Sequence, residues 1–310
     1  MLRLVLLPPI LFNLTGIIDT YLTKLLGKHQ TLGNLKSSTG TLMIIGGLLA
    51  LLVAIVLFCF LWTKVFTIGI QAIVSIVCAG VFYGFAAFPY FEALKGEKIE
   101  NIIPMLQTIP IFTYIVGSIV LGESMSPISI ILMIAIVSIT ILFSRNFQEK
   151  KFNYKGLVLV LASSLLYALC YVSFKFGGEN VKNIRISYFR EHMGVALISL
   201  AFLLKTKTRT TTFQFFRNSK VSFSLLNAGN EMSYIIGVLI INYLTLHFNI
   251  AFINTLSNGL QPILWFFMVF LAYKLLPNIY TRKYHKKELV WKFILCWLTF
   301  LLLFLFYRIT

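Results

Sequence analysis

Ten stretches of this chain are each dominated by apolar side chains over roughly the length, about 20 residues, that a helix needs to cross the hydrocarbon core of a bilayer. They run, within a few residues, over 4–26, 42–62, 68–91, 100–121, 127–144, 156–177, 187–204, 222–247, 249–273 and 292–308. Backbone crossing hydrocarbon must satisfy its own hydrogen bonds, which leaves helices and closed barrels. A barrel would read as alternating segments of about ten residues, so helices are expected. Composition agrees: 58% of residues are hydrophobic and 12% charged, against about 45–50% and about 25% in soluble domains. The expected fold class is an all-α polytopic membrane protein with ten transmembrane helices, multi-pass in the cell membrane.

The first segment starts like a signal peptide, with one Arg and an apolar run. Asn13, Thr15, Asp19 and Thr20 interrupt it and no small-x-small cleavage site follows, so it reads as a retained helix. Cys59, Cys78, Cys170 and Cys296 each fall inside an apolar segment without paired spacing. They read as packing residues, neither a disulfide framework nor a metal site.

The net charge of +17 is spread over many short loops with no basic domain or arm, so nucleic acid is not the expected partner. Anionic lipid headgroups are. Loops after odd-numbered segments, with flanking residues, hold 19 Lys and Arg; the two ends and the loops after even segments hold five, Arg3, Lys64, Lys182, Arg185 and Arg308. The positive-inside rule then puts both termini outside. Two basic stretches, Thr206–Val221 and Lys274–Trp291, read as solvated, topology-setting loops in preference to amphipathic segments on the headgroups.

The chain also repeats itself. Leu22-Thr23-Lys24-Leu25-Leu26-Gly27 recurs in type as Ser173-Phe174-Lys175-Phe176-Gly177-Gly178, 151 residues later, and Ile109-Pro110-Ile111-Phe112 recurs as Gln261-Pro262-Ile263-Leu264 at a shift of 152. With five segments per copy, an odd number, the second copy is inverted. The polar stretch at 145–155 divides them, giving two inverted five-helix repeats, residues 1–147 and 148–310. Inverted repeats are the architecture of alternating-access carriers, with the site between repeats near the midplane.

Proline positions sharpen this. Pro104 and Pro110 interrupt the fourth segment and Pro262 the ninth; each removes a backbone donor and exposes a carbonyl. Matching breaks in two halves point to a transport site and its gates, although they can also be packing kinks. Gly80 and Gly84 make a small-xxx-small face for close helix approach.

Polar residues mark the candidate site. Asn227, Asn230, Glu231, Tyr234, Asn242 and Thr245 all fall within one 120° arc at 100° per residue, a polar stripe on segment eight. Glu231 lies nine or more residues from either end of its segment, a depth that makes an acid a functional candidate and a candidate proton carrier. An ion pair with Lys24 or Lys175 is the structural alternative. Segment nine repeats the pattern with Asn254, Ser257, Asn258 and Gln261 just before Pro262, suited either to a polar solute or to helix-to-helix bonding. Asp19, Tyr83 and Gln107 complete the candidate substrate-binding set. Lys24 and Lys175 read as snorkelling cations, Glu92 and Glu191 as structural residues near interfaces, and Arg190 equally as a structural residue or as the group an anionic solute would need.

Enzyme signatures are missing. There is no His-Glu-x-x-His, Gly-x-Ser-x-Gly or Gly-x-x-x-x-Gly-Lys, and the four His are scattered, so neither catalysis, nor a cofactor, nor ATP-driven pumping is expected.

The run Tyr90-Phe91-Glu92-Ala93-Leu94-Lys95, then Ile103-Pro104, Pro110-Ile111-Phe112 and Leu121-Gly122-Glu123, resembles the third-to-fifth-span signature of EamA-type members of the drug/metabolite transporter superfamily. The resemblance implies ten helices in two inverted five-helix repeats, a central cavity walled by spans one, three, four, six, eight and nine, and transport of a small metabolite. It also implies cytoplasmic termini, against the charge count. The second half departs from the pattern, with Lys274-Leu275 where Gly-Glu would fall. The expected function is a secondary transporter of a small polar metabolite working by alternating access as a monomer or homodimer. A membrane-embedded enzyme and a non-transporting scaffold are the alternatives.

Overall fold

A computed structural model describes residues 2–28, 35–63, 69–96, 99–142, 154–181, 183–218, 221–275 and 286–310. Its helices are α1 (Leu7–Lys28), α2 (Leu35–Leu61), α3 (Ile70–Gly96), α4 (Ile99–Leu106), α5 (Ile109–Val120), α6 (Pro127–Leu142), α7 (Tyr154–Gly178), α8 (Ile184–Ala201), α9 (Thr206–Asn218), α10 (Val221–Thr245), α11 (Ile250–Leu275) and α12 (Lys286–Ile309). Each apolar segment falls on a helix, the fourth on two. By length and composition, five helical stretches among the described residues can cross a membrane: Thr39–Leu61, Ile70–Gly96, Ile102–Val120, Tyr154–Gly178 and Lys287–Ile309. The chain is a multi-pass, all-helical membrane protein.

Two apolar clusters fix how the helices run. At one end of the bundle Leu61 of α2, Ala72 and Ile76 of α3, Phe174 of α7 and Ile186 and Tyr188 of α8 pack together. At the other end Leu42 and Met43 of α2 meet Ala87 and Phe91 of α3, with Phe202, just past α8, beside them. Hence α2 and α3 are antiparallel, and α8 spans both ends. Helix α3 lies along α7, bonded at both ends: Ser163 Oγ donates to Ala86 O at 2.8 Å and Ser75 Oγ to Ser173 O at 2.7 Å.

The small-residue face of α3 brings α8 into backbone contact. A Cβ on Gly80 would stand 1.9 Å from the Glu191 carbonyl oxygen, and one on Gly194 would stand 2.2 Å from the Val77 carbonyl oxygen. Only glycine permits that crossing.

Segment four is broken, as its prolines predict. Helix α4 ends at Leu106, and α5 restarts at Ile109 with Pro110 in its first turn. Between them Gln107 N turns back to Pro104 O at 3.3 Å and Thr108 N to Met105 O at 3.2 Å. The Ile103 carbonyl takes a donor from the Gln107 side chain, Nε2, at 3.0 Å. Segment nine differs from expectation: α11 runs unbroken through Pro262. A lone proline costs a helix one backbone donor, and neighbouring turns carry the helix across it. Pro89 is likewise absorbed within α3.

The stretch expected to be a solvated loop at Thr206–Val221 is instead largely the helix α9. Thr208, Thr212 and Phe215 are buried along one face, and Thr212 Oγ1 donates to Thr41 Oγ1 of α2 at 3.3 Å. Spacings of four and three align them on a single stripe. Most of the other loop, from 276 to 285, lies outside the described residues.

Candidate functional site

A cavity of about 70 Å³ opens among α1, α2, α3, α7, α8 and α10, room for several waters at about 10–15 Å³ each. Its carboxylates are Asp19, Glu191 and Glu231; its aromatic wall is built by Tyr83, Tyr90, Tyr167, Tyr234 and Phe91. Leu42 and Met43 from the start of α2, Phe91 from the end of α3 and Ser199 from the end of α8 also line it. It therefore reaches toward the end of the bundle that the loops after odd segments share.

Asp19 joins α1 to α10 and α3. Asn230 Nδ2 donates to Asp19 Oδ1 at 2.7 Å and Tyr90 Oη to Oδ2 at 3.2 Å. Glu231 follows Asn230, and a Cβ on Gly46 would stand 3.4 Å from its Oε1, so the α2 backbone comes close to this carboxylate. No hydrogen bond reaches Glu231 from the described residues, and the pair with Lys175 weighed from the sequence does not form. The Lys24 side chain lies outside the described ones. Tyr83 links the aromatic wall, with ring centroids 5.4 Å from Tyr234 and 5.9 Å from Tyr167.

Glu191 sits deeper than its place near the start of segment seven suggested. It is 2% exposed and accepts from Asn242 Nδ2 on both oxygens, at 3.0 and 3.1 Å. His192 Nδ1 faces the Tyr188 carbonyl at 2.9 Å; a carbonyl only accepts, so Nδ1 carries the proton and Nε2 is the acceptor of the neutral ring. Cavity residues missing from the sequence-derived set include Glu191, His192, Tyr90 and Tyr167. Consecutive ionisable residues Arg190-Glu191-His192 within an apolar segment were the signal for two of them.

The remaining candidates lie elsewhere. Asn227 is buried on α10 but does not line the cavity. Asn254 Nδ2 bonds back to Ile250 O at 3.0 Å, and Asn258 is buried on α11. Gln261 binds helices: its Oε1 accepts from Gln107 Nε2 at 2.9 Å and its carbonyl from Asn13 Nδ2 at 2.9 Å. The end of the polar stripe of segment nine, at Gln261, thus joins α11 to α1 and to the break between α4 and α5. Among the described residues no three of His, Cys, Asp and Glu are grouped to hold a metal ion.

The end of the bundle away from the α2–α3 apolar cluster at Leu42 is closed by charge. Gly122, at φ 68°, turns the chain after α5, a left-handed conformation suited to glycine. Glu123 follows; its Oε2 accepts from Ile250 N at 2.9 Å at the start of α11. Lys175, 5% exposed, is ion-paired with Glu123 and donates to Phe248 O at 2.8 Å. It is thus a buried cross-link where a snorkelling cation was expected. Glu92, by contrast, pairs with Lys95 of its own helix at 2.6 Å.

The model of the EamA-like transporter family matches residues 28–145, the stretch that holds the sequence signature. No curated protein matches the chain. A crystal structure of a protein, 14% identical, aligns over 96% of this chain and 97% of that one with a TM-score of 0.54, a likeness of fold.

Proposed function

We propose, with the family match over residues 28–145 as the premise, that the chain is a secondary transporter of the cell membrane. It moves a small polar metabolite by alternating access between two inverted five-helix repeats, residues 1–147 and 148–310. The observation that carries this is a cavity shared by α1–α3 with α7, α8 and α10, in which carboxylates from α1, α8 and α10 are set in a largely apolar wall.

Helix pairing supports the inverted repeat. If α1, α2, α3, α4–α5 and α6 correspond to α7, α8, α10, α11 and α12, a two-fold relation turns several of the main contacts into one another, although the close α3–α8 crossing has only a slight counterpart between α10 and α2. Helix α3 packs on α7 as α10 packs on α1, and α5 packs on α7 as α11 packs on α1; α2 with α8, α5 with α11 and α6 with α12 are pairs of counterparts. Solute sits against Asp19, Tyr83, Asn230, Glu231 and Tyr234. Gln107 and Gln261 hold together the helices that move around it, Asn227, Asn254 and Asn258 are buried on two of those helices, and the Glu123–Lys175 pair gates the closed end.

Reconstitution tests the reading. Proteoliposomes containing the purified chain should accumulate one or more radiolabelled polar metabolites in a saturable manner, with trans-stimulation by unlabelled solute inside. Folded protein that moves none of a broad panel overturns it.

A further inference from the structure

The cavity's chemistry is one-sided. Three carboxylates line it and, among the described residues, no Lys or Arg does. Arg190, which an anionic solute would need, is not in the lining. Burying a carboxylate such as Glu231 without a counter-charge is costly, so a bound positive group beside it supplies what the wall lacks.

Hydrogen-bonding capacity points the same way. Asn230 is 2% exposed and lines the cavity; its Nδ2 is used by Asp19, while its Oδ1 has no partner among the described residues. Glu231 offers a carboxylate that no described residue hydrogen-bonds, and His192 an acceptor nitrogen in its neutral form. These groups wait for a donor, and an ammonium is all donor and no acceptor. The rings complete the cage: Tyr83 lies between Tyr167 and Tyr234. Aromatic faces attract cations, most strongly where water is scarce.

We infer that this cavity takes a small organic cation, an ammonium with an apolar substituent, held by Glu231, Asp19 and Asn230 against the Tyr83–Tyr234 rings. This rests on the transporter reading above and names its substrate class. The apolar remainder of the lining, Leu42, Met43, Ala50, Val195 and Val238, receives the substituent.

The test uses the full chain in lipid nanodiscs, with binding read by calorimetry for butylammonium, butan-1-ol and butanoate, and flux read in proteoliposomes for the same probes. Butylammonium should bind at least about tenfold more tightly than either of the others, and Glu231→Gln should weaken it about tenfold. Tyr234→Leu should weaken it similarly while Tyr234→Phe, which keeps the ring, should not. If Glu231→Gln does not fold, the Tyr234 pair decides. Equal binding of the alcohol, preference for butanoate, no butylammonium binding, or indifference to these substitutions overturns the cation assignment. Saturable flux of the neutral or anionic probe without cation preference would leave a carrier with another substrate class, whereas tight butylammonium binding without flux of any solute would leave a cation site in a protein that does not transport.

Discussion

Asn230 on α10 donates to Asp19 on α1 at 2.7 Å across 211 residues of sequence, so a hydrogen bond to a buried acid ties two neighbouring walls of the cavity. Removing the donor takes the bond from Oδ1 and leaves Tyr90 on Oδ2. Asn230→Ala should lower stability by about 1–3 kcal/mol, the cost of a buried polar group left without its partner, and Asn230→Asp by more, because two acids would then face each other. Thermal melts in detergent measure both. An Asn230→Asp protein as stable as the parent would show that the bond is not formed.

Gly80 should tolerate nothing larger. The built Cβ overlaps the Glu191 carbonyl, a backbone atom with no rotamer to move, so Gly80→Ala must push α3 and α8 apart, at an overpacking cost of about 1–3 kcal/mol or more. Gly229→Ala on α10 is the control, since nothing stands within 4 Å of its Cβ position. Equal melting temperatures for the two variants would refute the close crossing.

The Glu123–Lys175 pair should hold its end of the bundle shut. Breaking a buried ion pair from one side costs about 3–5 kcal/mol, and Lys175→Ala would leave Glu123 against the start of α11. Cys170, 1% exposed on the same helix as Lys175, reports on it. With Cys59, Cys78 and Cys296 changed to Ala, maleimide should label Cys170 faster in Lys175→Ala than in the parent. Unchanged labelling would deny the pair a gating role.

Orientation is decided along α12, whose ends carry the exposed residues Lys287 and Thr310. The positive-inside count expects Thr310→Cys to react with an impermeant thiol reagent in intact cells and Lys287→Cys to be protected. The reverse pattern places both termini in the cytoplasm, as the family resemblance implies.

What the sequence disclosed followed from periodicity. Asn230, Glu231 and Tyr234 were legible together because 100° per residue puts them on one face, and Asp19 because an acid deep in an apolar run is rare. The stripe on α11 was equally legible, but its use was not: the same spacing serves a solute or a neighbouring helix, and only the contacts of Gln261 with Asn13 and Gln107 distinguish them. Glu191 escaped because its depth depends on how closely α3 crosses α8, a matter of two glycines on separate helices. Tyr90 and Tyr167 gave no signal, since tyrosines are frequent where membrane helices meet water. Helix α9 was hidden by threonine, which counts as polar in a hydropathy pattern yet packs here against α2.

The break at Gln107 has a mechanical consequence. A continuous helix bends only by stretching backbone bonds on its outer side, and it springs back. At the α4–α5 junction the Ile103 carbonyl is held by the amide at the end of Gln107's side chain, whose rotatable bonds can follow the oxygen as the angle changes. Such a joint flexes without losing its hydrogen bond and stores little restoring force. α11, which crosses Pro262 without a break, has no matching joint, so any rocking of the molecule would be a motion in which one arm folds and the other swings as a rod.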